Sequence, residues 1–167
     1  MAIKGGGIVI TPARFVAQWQ HIPHRFSLNL WNFEVEAGKA VKYVFKRSFE
    51  IKRFNSSGST GWAPRSSKNR RAHPLMVETG SLKSSITWKR TKDEDGSRAV
   101  LVYTDPNGFM NTKRHQGFCY AAVHNGPQRF RTGKVRHMPR RQFMGYSSEA
   151  KDELIKLKKV IFRGFPK

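Results

Sequence analysis

The chain has 167 residues, with 32 Lys and Arg against 11 Asp and Glu, a formal net charge of +21. Charge this large repels itself unless something negative lies close, so it points to nucleic acid, an anionic membrane or acidic faces of protein neighbours. With 38% apolar and 12% aromatic residues the composition excludes a disordered tail and suits one domain with a modest core.

The N-terminal run MAIKGGGIVITPARF lacks the long apolar segment of a signal peptide. Its three glycines are not a phosphate loop, because no Lys-Ser or Lys-Thr follows them. Residues 1–29 read as a short strand at 8–10 followed by an arm of undefined structure; residues 30–167 read as the domain. From 31 to 54 the pattern turns helical. Trp31, Val35, Gly38, Val41, Phe45 and Phe49 recur at steps of three or four, and Phe33, Ala37, Ala40, Val44, Ile51 and Phe54 widen the apolar face. Most of these positions read as the buried side of a core helix.

NSSGSTGWAPRSSKNRRAHP, residues 55–74, is a long loop in which Trp62 is the one large apolar anchor. Thr79 or Ser81 is placed to cap a short helical turn through Leu82 and Ser85. Residues 86–90 and 99–104 read as two strands joined through Asp95-Gly96. A second loop, DPNGFMNTKRHQG, leads to the apolar run FCYAAV. The acid-free segment HNGPQRFRTGKVRHMPRRQFMG follows, with 138–144 extended and Pro139 at a strand start or edge. A last helix is capped by Ser147 or Ser148. Glu149, Asp152 and Glu153 suit its positive end and Lys156, Lys158 and Lys159 its negative end, above a stripe of Leu154, Leu157, Val160 and Ile161.

Acids are missing from 52–77 and from 106–148, so basic charge gathers in the two segments read as loops. Arg65, Lys68, Arg70 and Arg71 lie in the first, and Arg129, Arg131, Lys134 and Arg136 in the second. These loops are poor in apolar residues, so ordering them is expected to need a partner that supplies carboxylates or phosphates. Catalytic and metal readings find little support. His21 and His24 flank Pro23, and His73, His115, His124 and His137 lie in loop-like sequence without paired carboxylates. Cys119 alone excludes an intrachain disulfide and a multi-cysteine zinc site, and its apolar setting suits a buried, inert thiol. No apolar stretch approaches the roughly 20 residues that cross a bilayer, so a protein made in a reducing cytosol is expected, without a membrane partner.

Four short motifs occur in order: GWAP at 61–64, HPLMVETGSLKSSI at 73–86, YAAVHNG at 120–126 and MPRRQFMG at 138–145. Their series resembles the phage virion morphogenesis family, the tail-completion or neck proteins of tailed bacteriophages. That family carries Gly-x-Trp-x-Pro, Leu-x-x-Thr-Gly-x-Leu-x-x-Ser-Ile, Tyr-Ala-x-x-His-x-Gly and Pro-Ala-Arg-Pro-Phe-Leu-Gly elements. The likeness covers residues 30–162, with Arg140 in place of Ala, Gln142 in place of Pro and Met144 in place of Leu. The matching positions are Trp62, Pro64, Thr79, Gly80, Leu82, Tyr120, His124, Gly126, Pro139, Arg141, Phe143 and Gly145.

Read as chemistry, these positions are mostly structural. Gly80 and Gly126 suit positive φ or tight turns, Arg141 suits a two-pronged bond to a carboxylate or to backbone carbonyls, and Phe143 suits the core. The resemblance implies an α+β fold, with a long helix packed on a small antiparallel sheet, long basic loops and a C-terminal helix. It also implies a non-enzymatic virion protein without a cofactor. Its copies would form a ring, often sixfold, between a connector or stopper and the tail terminator or tail tube, with genomic DNA in the lumen. The alternative is a basic, nonspecific nucleic-acid-binding protein unrelated to virions, which the same charge and the interleaved Phe130 and Phe143 would serve.

Overall fold

The computed structural model describes residues 12–65, 74–105, 120–126 and 139–165. Its spine is α2 (Ile22–Ile51), 30 residues long, preceded by α1 (Pro12–Gln20). The helix begins nine residues before the expected position 31, and the boundary expected at residue 30 falls inside it. Pro23 explains the difference. It lies in the first turn, where a missing N–H costs nothing and the fixed φ is already helical. The strand expected at 8–10 lies outside the described residues.

At its far end α2 closes on Lys52, whose left-handed φ of 54° lets its N–H reach back to Ser48 O. The chain then doubles back. Arg53 bridges Gly61, and Trp62 N–H donates to Lys52 O at 2.7 Å. Residues 55–65, expected as open loop, are thereby tied down. Asn55 donates from its backbone to Ser48 Oγ and from its amide to Val44 O.

Three further helices occur among the described residues: α3 (Ser81–Ser85), α4 (Tyr120–Asn125) and α5 (Ser148–Ile161). Ser147 caps α5 as expected, accepting Ala150 N–H at 3.1 Å. α5 lies antiparallel along α2 and is fastened at both ends. Near its start Ser57 N–H donates to Ser148 Oγ at 2.7 Å, and the Ser147 hydroxyl donates to Asn55 O. Near its end the Asn29 amide donates to both Ile161 O and Arg163 O at 2.9 Å. The cap expected on α3 is different: the N-cap position is Gly80, with φ 76°, and no side chain caps the helix. Thr79 instead accepts Ser81 N–H at 3.3 Å.

The hairpin is as expected. β1 (Ile86–Lys92) pairs antiparallel with β2 (Arg98–Thr104), with Ile86 opposite Thr104 and Lys92 opposite Arg98. Alternation puts Trp88, Arg90, Val100 and Val102 on the face turned to α2. Trp88 seats on Gly38, Arg90 lies 4.8 Å from the centre of the Trp31 ring, and Arg98 forks onto Glu34 at 2.5 and 3.1 Å. A long helix on a small antiparallel sheet with a C-terminal helix is thus the architecture, an α+β fold.

One expected strand is not formed. Residues 139–143 have no ladder among the described residues, and the two-stranded β1–β2 sheet is the only sheet there. Pro139 has no N–H, Arg141 N–H goes to His124 O, and Phe143 and Met144 N–H both go to Asn125 Oδ1. Three of its backbone donors are thus engaged by α4 instead of a neighbouring strand.

The seat of Trp88 gives a direct test. A Cβ at position 38 would stand 2.3 Å from Trp88 Cδ2 and 2.5 Å from Cε3. Ala exceeds Gly in helix preference by roughly 1 kcal/mol, yet overpacking of this kind costs about 1–3 kcal/mol. Gly38→Ala is therefore expected to lower the urea midpoint; a raised midpoint would show that the helix and hairpin are not in contact there.

Candidate functional site

The four motifs converge. From α2 the core takes Val44, Phe45 and Phe49, and around them gather Phe54, Trp62, Met76, Leu82, Ile86, Ala121, Phe143 and Ala150. Trp62 meets Phe49 edge to face at 5.5 Å and donates Nε1–H to Gln142 O at 2.8 Å. Phe143, 1% exposed, tilts onto Phe49 at 5.1 Å. Arg141 is 7% exposed and forks onto the backbone of the first motif, with Nε 3.1 Å from Ala63 O and Nη2 3.3 Å from Pro64 O. That is the two-pronged role expected of it, with carbonyls rather than a carboxylate as acceptors. Arg140 reaches back to Asn125 O at 3.1 Å. First, third and fourth motifs are therefore laced through their backbones, and the second contributes Met76, Leu82 and Ile86 to the same core.

The remaining motif positions fall into place around this knot. Leu82 is buried, Pro139 is exposed, and Tyr120 opens α4. Gly80 does adopt a positive φ, but Gly126 does not; its N–H closes α4 onto Ala122 O, and a Cβ there would stand 3.4 Å from that oxygen. Gly145, with φ 143°, passes close to Phe54 and Gln142. His124, read as loop sequence, sits on α4 and is 2% exposed. His21 and His24 are exposed and belong to no such cluster.

Of the basic positions singled out, Arg65 is described, and donates to Pro74 O at 2.8 Å. Lys68, Arg70, Arg71, Arg129, Arg131, Lys134 and Arg136 lie outside the described residues, as do His73, His115, Cys119 and His137. Sequence reasoning missed another basic surface, the outward side of α2, where Lys39, Lys42, Lys46 and Arg47 surround Tyr43. The signal is present in the sequence, since cations recur there at helical steps opposite the apolar stripe. It also missed a groove of about 860 Å³ between α2, β2 and the start of α5, floored by Phe33, Ala37 and Val41.

Among the described residues no group of three or more His, Cys, Asp or Glu side chains is arranged to hold a metal ion, and no helix is long and apolar enough to cross a membrane. Comparison of the chain with protein-family models, with curated proteins and with solved structures finds no match.

His124 carries a pH signature. Burial, and then the nearby Arg141 charge, push its imidazole from 6.5 down to about 4. The folded chain thus keeps His124 neutral where the unfolded chain protonates it. Between pH 6.5 and about 4 the unfolded state binds more protons, so stability falls as pH falls through that window and this contribution is absent above it. At pH 4.5 the loss is about 2 kcal/mol. Unfolding free energies from urea titrations at pH 7 and 4.5 should differ by that much more for the wild type than for His124→Gln; equal pH dependence in the two would place the imidazole in solvent.

Proposed function

We propose that the chain is a structural subunit of a tailed-bacteriophage virion. Its copies form a ring at the neck or upper tail that joins head to tail around the DNA channel. The single observation that supports this reading is the ordered series of four family-like motifs, whose residues serve one shared core. Arg141 on the carbonyls of GWAP, Asn125 on the MPRRQFMG backbone, and Trp62 and Phe143 both against Phe49 make the motifs mutually dependent. That is how a family signature looks when it specifies a scaffold and leaves surfaces free to vary.

The function is joining rather than catalysis. A subunit of net charge +21 crowds against its own copies at a cost, which neighbours bearing carboxylates or phosphates offset. Connector, stopper, tail-terminator or tail-tube proteins and the packaged genome supply such groups. The basic segments at 65–71 and 129–136 are the assembly surfaces in this scheme, and the virion is the site of action after synthesis in the bacterial cytoplasm. A free nucleic-acid-binding protein would share the charge, but it would have no fixed place in a particle.

Purified virions decide between the two. Mass spectrometry should find the chain in whole particles, and disrupting its gene should leave filled heads and finished tails unjoined. Normal virions from which the chain is missing would refute the assignment and leave nucleic-acid binding as the reading.

A further inference from the structure

The outward side of α2 has the make-up of a contact surface. Tyr43 is 65% exposed. Lys39, Lys42, Lys46 and Arg47 stand three or four residues from it, or from one another, along one helical face. Two carboxylates share this face and each is already engaged: Glu36 by Lys39 at 3.0 Å and Glu50 by Lys83 of α3 at 2.8 Å. Lys42 and Lys46 are both partly buried. Burial, then the charges of Lys42 and Lys83, hold the Lys46 ammonium below its ordinary range. Like charges are thus held together on a rigid helix, where an arriving anion relieves their repulsion.

We propose that this face of α2 binds the phosphate backbone of duplex DNA, with Lys42, Lys46 and Arg47 neutralising phosphates and the Tyr43 hydroxyl donating to one of them. The face suits DNA better than protein. The centre of a protein interface is apolar and poor in lysine, whereas here cations surround a single aromatic. Backbone contacts to DNA use this set of groups: ammonium, guanidinium and tyrosine hydroxyl. The spacing also suits a backbone, since residues 39–47 rise about 12 Å along the helix at about 1.5 Å per residue. The contact carries no base reading, so it holds any sequence. It rests on the proposed neck function only in placing this face toward the lumen; DNA binding by α2 stands or falls on its own measurement.

The test uses the full chain and a fluorescent duplex of mixed sequence, titrated across a range of salt. Lys42→Gln, Lys46→Gln and Arg47→Gln combined remove three charges. A matched control, Lys151→Gln, Lys158→Gln and Lys159→Gln, removes three from the exposed side of α5. Circular dichroism melting confirms that each variant is folded. The α2 variant should lower the slope of log affinity against log salt by about 2.7, from about 0.9 per phosphate contact, while the control keeps the wild-type slope. Tyr43→Phe should weaken binding several-fold without changing the slope. An unchanged slope in the α2 variant overturns the proposal, the result expected if the face meets an acidic protein. Equal losses in both triple variants overturn it as well, because binding would then follow net charge alone. Neither result bears on whether the chain is found in virions, so failure of this surface and failure of the neck assignment are distinguishable.

Discussion

Phe49 is the point on which the structure turns. Its ring receives Trp62 edge-on at 5.5 Å and Phe143 at 5.1 Å, so a residue of the long helix holds two segments that lie 80 residues apart in sequence. Deleting a core aromatic costs about 3–5 kcal/mol, against a total stability of only about 5–15 kcal/mol for a domain. No ring of this trio is expendable on that scale. The polar lacing depends on the same contact, because Arg141 reaches the GWAP carbonyls and Gln142 O receives the Trp62 indole N–H only while Phe143 is seated. Asn125 then fixes the segment from the α4 side.

The second constraint is electrostatic. A net charge of +21 has to be borne by the surface, and the interior admits charge only where it is answered. Glu34, 7% exposed, is matched by the fork of Arg98; Arg141, equally buried, is matched by two carbonyls. His124 stays neutral in its buried site through the physiological range. Lys39, Lys42, Lys46 and Arg47 lie on the outward side of α2, whose other sides carry the hairpin and α5. Core and charge thus divide one helix between them, with the apolar stripe specifying the fold and the opposite face available for assembly.

Much of the architecture was legible because its signals are local. Ser147 as a cap, Asp95-Gly96 as a turn, Trp62 as an anchor and Phe143 as core each follow from a short-range rule, and each is found. The failures are equally physical. Pro23 reads as a breaker unless its position in the first turn is known. Residues 139–143 read as a strand yet form none, because Arg141, Phe143 and Met144 donate to His124 and Asn125, whose proximity is tertiary. The same holds for His124, which looks like loop histidine until α4 buries it. The basic side of α2 was hidden by the stronger apolar signal on its other side. The phage setting and the ring follow from motif resemblance and stand as proposals beside a fold derived from contacts.

The most direct test of the interlocked core is native-state hydrogen exchange read at four protons: the Trp62 indole N–H and the backbone N–H groups of Arg141, Phe143 and Met144. Each is bonded across a motif boundary. If the motifs form one cooperative unit, all four exchange only through global unfolding, with the same free energy as the Phe45 and Phe49 amides of α2. Exchange of the Arg141, Phe143 and Met144 amides through a low-energy local opening, while α2 stays protected, would show that MPRRQFMG is an appended flap and that the core does not depend on it.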